Sequence, residues 1–252
     1  MHKRYRLTLV FSLIFVLSLL PPQVSRASQP APVTFLTPGE GSAVTSPIEL
    51  AASITLEEVS QVRAALVDRN GQEISRQRLN INRADRISYE PFETQLSFEI
   101  PGDSSNALLT LTTLDGAHRP TATRSIILTL KSEGEPDLQN NVTQESWLTI
   151  SRPEPHTHIQ DEPLMITGNV IPVTDQPIFF ELVTGAGRLL GHVQLAVENP
   201  GENLSFDVSI NYGAIPSQTD VLLIIRQTML PFGVNAVLDS LPLTLLPQAE
   251  IQ

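Results

Sequence analysis

The sequence predicts an all-β chain in which one module occurs twice, and three observations carry that prediction. Short runs with period-two alternation of apolar and polar residues recur between Gly, Pro, Asn and Asp clusters, while helix-period patterns are scarce beyond residue 27. One such run returns: Phe92-Glu93-Thr94-Gln95-Leu96-Ser97-Phe98 is matched by Phe206-Asp207-Val208-Ser209-Ile210-Asn211-Tyr212. Flanking motifs keep the spacing. Pro38 and Pro47 are echoed by Pro153 and Pro163, and Ser125-Ile126-Ile127-Leu128-Thr129-Leu130 by Ser240-Leu241-Pro242-Leu243-Thr244-Leu245, so the offset stays between 114 and 116. A duplicated module is the economical explanation.

In the first copy, strands are predicted at residues 33–36, 48–54, 61–67, 73–80, 92–100, 107–114 and 123–130. Asp68-Arg69-Asn70-Gly71 and Asp115-Gly116 supply the turns, since Asn and Gly tolerate the positive φ that tight turns require. The second copy repeats the pattern at 148–151, 164–170, 178–183, 189–197, 204–212, 220–226 and 238–245, with Thr184-Gly185-Ala186-Gly187 in the place of the Asn70-Gly71 turn. Seven short strands per copy point to a two-sheet sandwich of immunoglobulin type. The fold class expected is therefore all-β: two tandem immunoglobulin-like β-sandwich domains after an N-terminal signal peptide.

Side chains two apart on a strand point the same way. Phe92, Thr94, Leu96 and Phe98 should thus face one core, and Phe206, Val208, Ile210 and Tyr212 the other. Thr94 opposite Val208 is the weak point of the match, because a buried hydroxyl needs a partner.

Residues 1–27 read as an export signal. Lys3, Arg4 and Arg6 precede an apolar-rich run over 7–20, then Pro21-Pro22 and the small-residue end Ser25-Arg26-Ala27, after which cleavage is expected. The run is shorter than the ~20 residues that cross a bilayer, although an uncleaved anchor is kept as an alternative. The boundaries that follow are 28–131 for the first sandwich, 132–146 for an acidic linker, 147–247 for the second sandwich and 248–252 for a C-terminal tail. The linker is polar, reads as a hinge or spacer, and has Leu138 and Val142 as the apolar residues able to tack it against a module.

The chain contains no cysteine, which excludes both an N-terminal lipoprotein anchor through Cys and a disulfide-stapled scaffold. Its modules, each of about 100 residues, must instead rely on apolar cores. Cleavage after Ala27 removes four of the 16 basic residues and none of the 27 acidic ones, leaving a net charge of −15. Nucleic acid and anionic membrane surfaces are poor partners for such a chain. The first module nevertheless holds eight arginines (Arg63, Arg69, Arg76, Arg78, Arg83, Arg86, Arg119, Arg124), against Arg152, Arg188 and Arg226 in the second.

The stretches Thr37-Pro38-Gly39-Glu40-Gly41-Ser42-Ala43-Val44-Thr45-Ser46-Pro47-Ile48, Val67-Asp68-Arg69-Asn70-Gly71 and Tyr89-Glu90-Pro91-Phe92 resemble the immunoglobulin-like domain associated with bacterial spore germination proteins. In that family a Ser-Pro pair starts the second strand and an aromatic-x-Pro-Phe stretch enters a later one. The second copy keeps Pro163, Gly168 and Phe206 but has Arg152-Pro153 and no Pro before Phe206. The resemblance implies an exported bacterial β-sandwich serving as an accessory or interaction domain, and it does not imply sporulation. Antibody-type marks are absent: no Cys pair occurs, and Trp147 stands at a module's entrance.

Two segments carry candidate chemistry. His156, His158 and Asp161 combine an extended H-x-H with a carboxylate and so offer metal-ligand types. A polar loop without a metal is the favoured reading, because structural metal sites usually show four well-spaced ligands. The other is Thr228-Met229-Leu230-Pro231-Phe232-Gly233, an apolar loop where the first copy has Asp115-Gly116-Ala117-His118. Met229, Leu230 and Phe232 exposed together would form a partner-binding patch; the competing reading is that Phe232 or Leu230 folds back to plug the sandwich end.

No nucleophile elbow, Cys nucleophile, Gly-rich phosphate loop or HExxH is present, so no enzyme and no cofactor is expected. The functional expectation is an exported, non-enzymatic bacterial binding or spacer protein of the cell envelope or extracellular space, with an unknown protein partner or envelope component. A metal-dependent adhesin and an accessory subunit docking to a secreted or envelope enzyme complex are the alternatives.

Overall fold

The computed structural model describes residues 32–55, 59–80, 91–140, 146–160 and 162–247. The export signal over 1–27, the tail over 248–252, the linker residues 141–145 with Val142, Arg83 and Arg86, Tyr89, and Asp161 lie outside the described residues. Within them the regular elements are sixteen β-strands. The first half holds β1 (Val33–Thr37), β2 (Ala43–Val44), β3 (Ile48–Ile54), β4 (Gln61–Asp68), β5 (Glu73–Asn80), β6 (Phe92–Leu96), β7 (Ser104–Leu114) and β8 (Pro120–Lys131). The second holds β9 (Leu148–Arg152), β10 (His158–Ile159), β11 (Leu164–Val170), β12 (Ile178–Thr184), β13 (Leu189–Leu195), β14 (Leu204–Ile210), β15 (Thr219–Met229) and β16 (Val234–Leu245).

Each half is an immunoglobulin-like sandwich. In the first, the sheet β1-β3-β6 lies over β5-β4-β7-β8, and β2 adds to β8 in parallel. In the second, β9-β11-β14 lies over β13-β12-β15-β16, and β10 adds to β16 in parallel. The alternation read from the sequence places the cores. Leu96 and Phe98 are buried in the first and Phe206, Ile210 and Tyr212 in the second, with Phe92 and Val208 packed against them. Thr94 is half-buried and so not closed into the core. Phe180 and Phe206 meet with ring centroids 5.1 Å apart and planes tilted by 58°, a favourable aromatic arrangement.

The turns follow from side-chain oxygens that replace missing backbone partners. Asp68 Oδ1 accepts from the N–H groups of Asn70 and Gln72, Asp115 Oδ1 from those of Ala117 and Arg119, and Thr184 Oγ1 from that of Arg188. Gly168 has no room for a side chain, since a Cβ there would overlap the Thr149 carbonyl oxygen where β9 and β11 shift register.

Two expectations need correction. The described part of the linker does not hang free as a hinge would: Asp137 N–H donates to the Ala43 carbonyl at 2.8 Å and Ala43 N–H to that of Asp137 at 2.9 Å, while Gln139 N–H reaches Ser42 Oγ at 2.9 Å. Its backbone, and not Leu138, which is 52% exposed, ties it to the first sandwich. The apolar loop is also shorter than expected. β15 and β16 run on as a ribbon, so the turn is confined to residues 230–233, because Thr228 and Met229 pair with Asn235 and Val234.

Candidate functional site: the junction of the two sandwiches

The edge strands β8 and β16 each leave one row of backbone groups unpaired, and an exposed edge invites pairing. Here the two edges pair with each other. Val237 stands opposite Arg124, Leu238 opposite Thr123 and Asp239 opposite Ala122, antiparallel, which joins the two large sheets into one of ten strands. The repeat offset of 115 that relates Ser125 to Ser240 makes Ala122, Thr123 and Arg124 the counterparts of Val237, Leu238 and Asp239. The pairing of Arg124 with Val237 is therefore repeated, with the copies exchanged, in the pairing of Ala122 with Asp239, and a local two-fold axis passes through the Thr123 and Leu238 pair. This is the isologous geometry of a C2 dimer, built within one chain.

Across that axis the two sandwiches place opposite charges. Arg124 Nη2 lies 3.0 Å from Asp239 Oδ2, and Nη1 donates to Thr123 O at 2.7 Å, Leu238 O at 3.2 Å and Asp239 Oδ1 at 3.3 Å. The Arg124 side chain is 6% exposed and that of Asp239 17%. Trp147 Nε1 adds a third donor, 2.5 Å from Asp239 Oδ2. Burial pushes the Asp239 carboxyl above its ordinary range, and the charge and hydrogen bonds of Arg124 and the Trp147 N–H oppose that rise. A buried ion pair persists only when its remaining hydrogen-bonding capacity is met, and among the described residues no buried side-chain polar atom lacks a partner. Trp147 at the second module's entrance thus closes the junction.

The β15–β16 ribbon reaches over the first sandwich. Ala65, Val67 and Leu108, on the outward face of β4 and β7, are buried without belonging to either core, as are Phe232, Ala236 and Leu238 of the ribbon. Ser125 Oγ donates to Asn235 O at 2.9 Å. Gly71, at φ 79°, has the Phe232 carbonyl so close that a Cβ would lie 2.9 Å from its oxygen. Between ribbon and sheet lies a groove of about 370 Å³, lined among others by Arg63, Glu73, Thr110, Thr112, Thr123 and Asn235.

These positions decide how the candidate residues are grouped. Phe232 is 3% exposed, Met229 half-buried and Leu230 61% exposed. The three do not stand out together as the partner-binding reading requires, and Phe232 is buried as in the competing reading, where the ribbon meets the Gly71 turn of the first sandwich. His156, on the segment leading into β10, and His158, the first residue of that strand, are both exposed, with the His156 N–H held by Pro242 O at 2.7 Å. Among the described residues no group of three or more metal-ligating side chains occurs. Sequence reasoning missed Arg124, Asp239 and the anchoring role of Trp147. The available signal was the offset itself, which sets two opposite charges at equivalent positions of the final strands.

No family model matches the sequence, and no curated protein matches it. Solved structures similar to the chain include fibronectin(III)-like modules of Clostridium thermocellum CbhA, 15% identical over 87% of this chain and 96% of that chain, with a TM-score of 0.27. A calcium binding domain of CALX1.1 is 9% identical over 78% of this chain and 80% of that chain, with a TM-score of 0.26. A protein of unknown function from Porphyromonas gingivalis is 12% identical over 86% of this chain and 100% of that chain, with a TM-score of 0.23. At such scores no ligand or partner is carried over. The class is defined by the chain's own strand order: a tandem immunoglobulin-like β-sandwich protein.

Proposed function

We propose that the chain is an exported, non-enzymatic bacterial binding protein of the cell envelope or extracellular space, whose two immunoglobulin-like sandwiches work as one rigid body. The observation that carries this reading is the ten-stranded sheet closed by Arg124, Asp239 and Trp147. A junction held by strand pairing and a buried charge pair keeps the surfaces of both sandwiches at a set spacing, which suits presentation to a partner. Export is supported by the 1–27 segment, and an accessory role by the residues that resemble the spore-germination-associated domain. The lack of catalytic motifs in the sequence supports a binding role over an enzymatic one.

A second reading, an accessory subunit docking through the ribbon tip, is favoured by the exposure of Leu230 alone. Fractionation of native cells followed by affinity capture with residues 28–252 as bait tests both. An extracytoplasmic location with capture of a defined partner is expected, and a cytoplasmic location overturns the proposal. Loss of that capture in Leu230→Ser selects the docking reading.

A further inference from the structure

Among the described residues four arginines are not exposed: Arg63, Arg119, Arg124 and Arg226. Three of them hold a carboxylate, Arg119 that of Asp115 at 2.7 Å, Arg124 that of Asp239 at 3.0 Å and Arg226 that of Glu181 at 2.7 Å. Arg226 also stacks over Phe179, 4.7 Å from the ring centroid. Arg63 has no ion pair among the described residues, and it is the arginine that lines the groove under the ribbon. A half-buried cation without a counter-ion is costly to hold.

Register sharpens the point. Arg63 stands opposite Arg78 and Ala65 opposite Arg76, so three arginines share the outward face of β4 and β5. Like charges directly opposite one another on a sheet destabilise it. The acid lining the groove, Glu73, has its Oε2 taken by Arg76 Nε at 2.9 Å and Nη2 at 2.6 Å. On the other flank, Arg63 stands opposite Thr112, whose hydroxyl lies 3.2 Å from that of Thr123, and both threonines line the same space. One hydroxyl of that pair keeps a proton to donate into the groove. Burial, and the charges of Arg76 and Arg78 near it, press Arg63 toward its neutral form, and Glu73 opposes them only in part, yet a guanidinium stays protonated in proteins. An arriving anion would relieve both strains.

We propose that the groove between ribbon and sheet binds a small ligand through an oxyanion, a carboxylate or a phosphate, with Arg63 as the fork that grips it and the Thr112 and Thr123 hydroxyls beside it. A planar guanidinium matches either oxyanion in a bidentate fashion. The volume of about 370 Å³ falls within the range of small-molecule sites, roughly 300–1,000 Å³. The site exists only because the ribbon of the second sandwich roofs the sheet of the first. It is nevertheless independent of where a protein partner docks, so absence of anion binding would leave the rigid-adaptor reading intact.

The test is titration of the mature chain, residues 28–252, with inorganic phosphate and separately with succinate, followed by calorimetry and by the Arg63 Nε–H resonance. Saturable binding of at least one anion is expected, weakened roughly tenfold or more by Arg63→Gln and changed less than about twofold by Arg152→Gln, which is exposed on the other sandwich. Binding of phosphate alone points to a phosphorylated ligand, and binding of succinate alone to a carboxylate. If neither anion saturates at millimolar concentration, or Arg63→Gln binds as tightly as the wild type, the proposal fails. Should Arg63→Gln not fold, the wild-type resonance decides: movement with saturation supports the site, and no movement overturns it.

Discussion

Arg124 and Asp239 hold equivalent places in the two copies and bind each other across the junction, Nη2 to Oδ2 at 3.0 Å. Were the same residue at both positions, arginine would meet arginine there, or aspartate aspartate. Opposite charges at these positions favour pairing of the two sandwiches within one chain over self-pairing of either edge.

Arg124→Met alone strands a buried carboxylate, and a loss of about 3–5 kcal/mol is expected from urea unfolding. Combining it with Asp239→Leu removes the stranded charge and should recover most of that loss. A double variant as weak as the single one would show that the geometry of the guanidinium, which also donates to Leu238 O, matters more than charge balance.

Phe232 and Leu230 are two residues apart and should behave oppositely. Phe232→Ser opens the junction and is expected to cost about 3–5 kcal/mol, whereas Leu230→Ser, on an exposed side chain, should stay within about 0.5 kcal/mol. Chemical denaturation of both variants checks this; equal effects would mean that Phe232 is not part of the packing.

Gly71 and Gly41 provide a matched pair at φ 79° and 78°. Gly41→Ala meets nothing within 4 Å and should carry only the left-handed penalty, about 1–2 kcal/mol. Gly71→Ala adds a contact 2.9 Å from the Phe232 carbonyl oxygen, so its thermal unfolding midpoint is expected to fall below that of Gly41→Ala. Identical midpoints would place the ribbon away from this turn.

Acid stability should trace Asp115. Burial alone would raise its carboxyl, but hydrogen bonds from Arg119, backbone and side chain, and from Ala117 N–H outweigh it and hold the group below its ordinary 3.8. A depressed value means that the stabilisation is complete above the unfolded value and is lost as pH falls below about 4. Asp115→Asn should therefore flatten the acid limb of stability against pH. Asp239 runs the other way: its raised carboxyl contributes fully at low pH and loses that contribution as pH rises through the elevated value.

Alternation exposed strands such as β3 and β11 because their dry positions alternate with wetter ones, whereas most of β7 is buried on both faces. The runs at 48–54, 73–80 and 164–170 match β3, β5 and β11 residue for residue. β2 and β10 were not legible, since two residues make no period. The segment 228–233 reads as a loop from its place opposite Asp115-Gly116-Ala117-His118, and Thr228 and Met229, which extend β15 into the ribbon, are too few to show a period of their own. Nothing in the period of β8 or β16 says which edge meets which, so the β8–β16 pairing, the Arg124–Asp239 contact and the groove beside Arg63 all lay beyond a reading made one strand at a time. Those features depend on contacts more than 100 positions apart.

The rigidity of the junction is open to direct measurement because the chain has no native cysteine. Spin labels on Glu93→Cys and Asp207→Cys, exposed residues of β6 and β14, report the spacing of the two sandwiches by pulsed dipolar spectroscopy. A single narrow distance distribution in the wild-type background, broadening when Arg124→Met is added, is expected of two sandwiches locked through Arg124 and Asp239. A broad distribution in the wild-type background, unchanged by Arg124→Met, would mean that the sandwiches swing freely and that the shared sheet does not hold them.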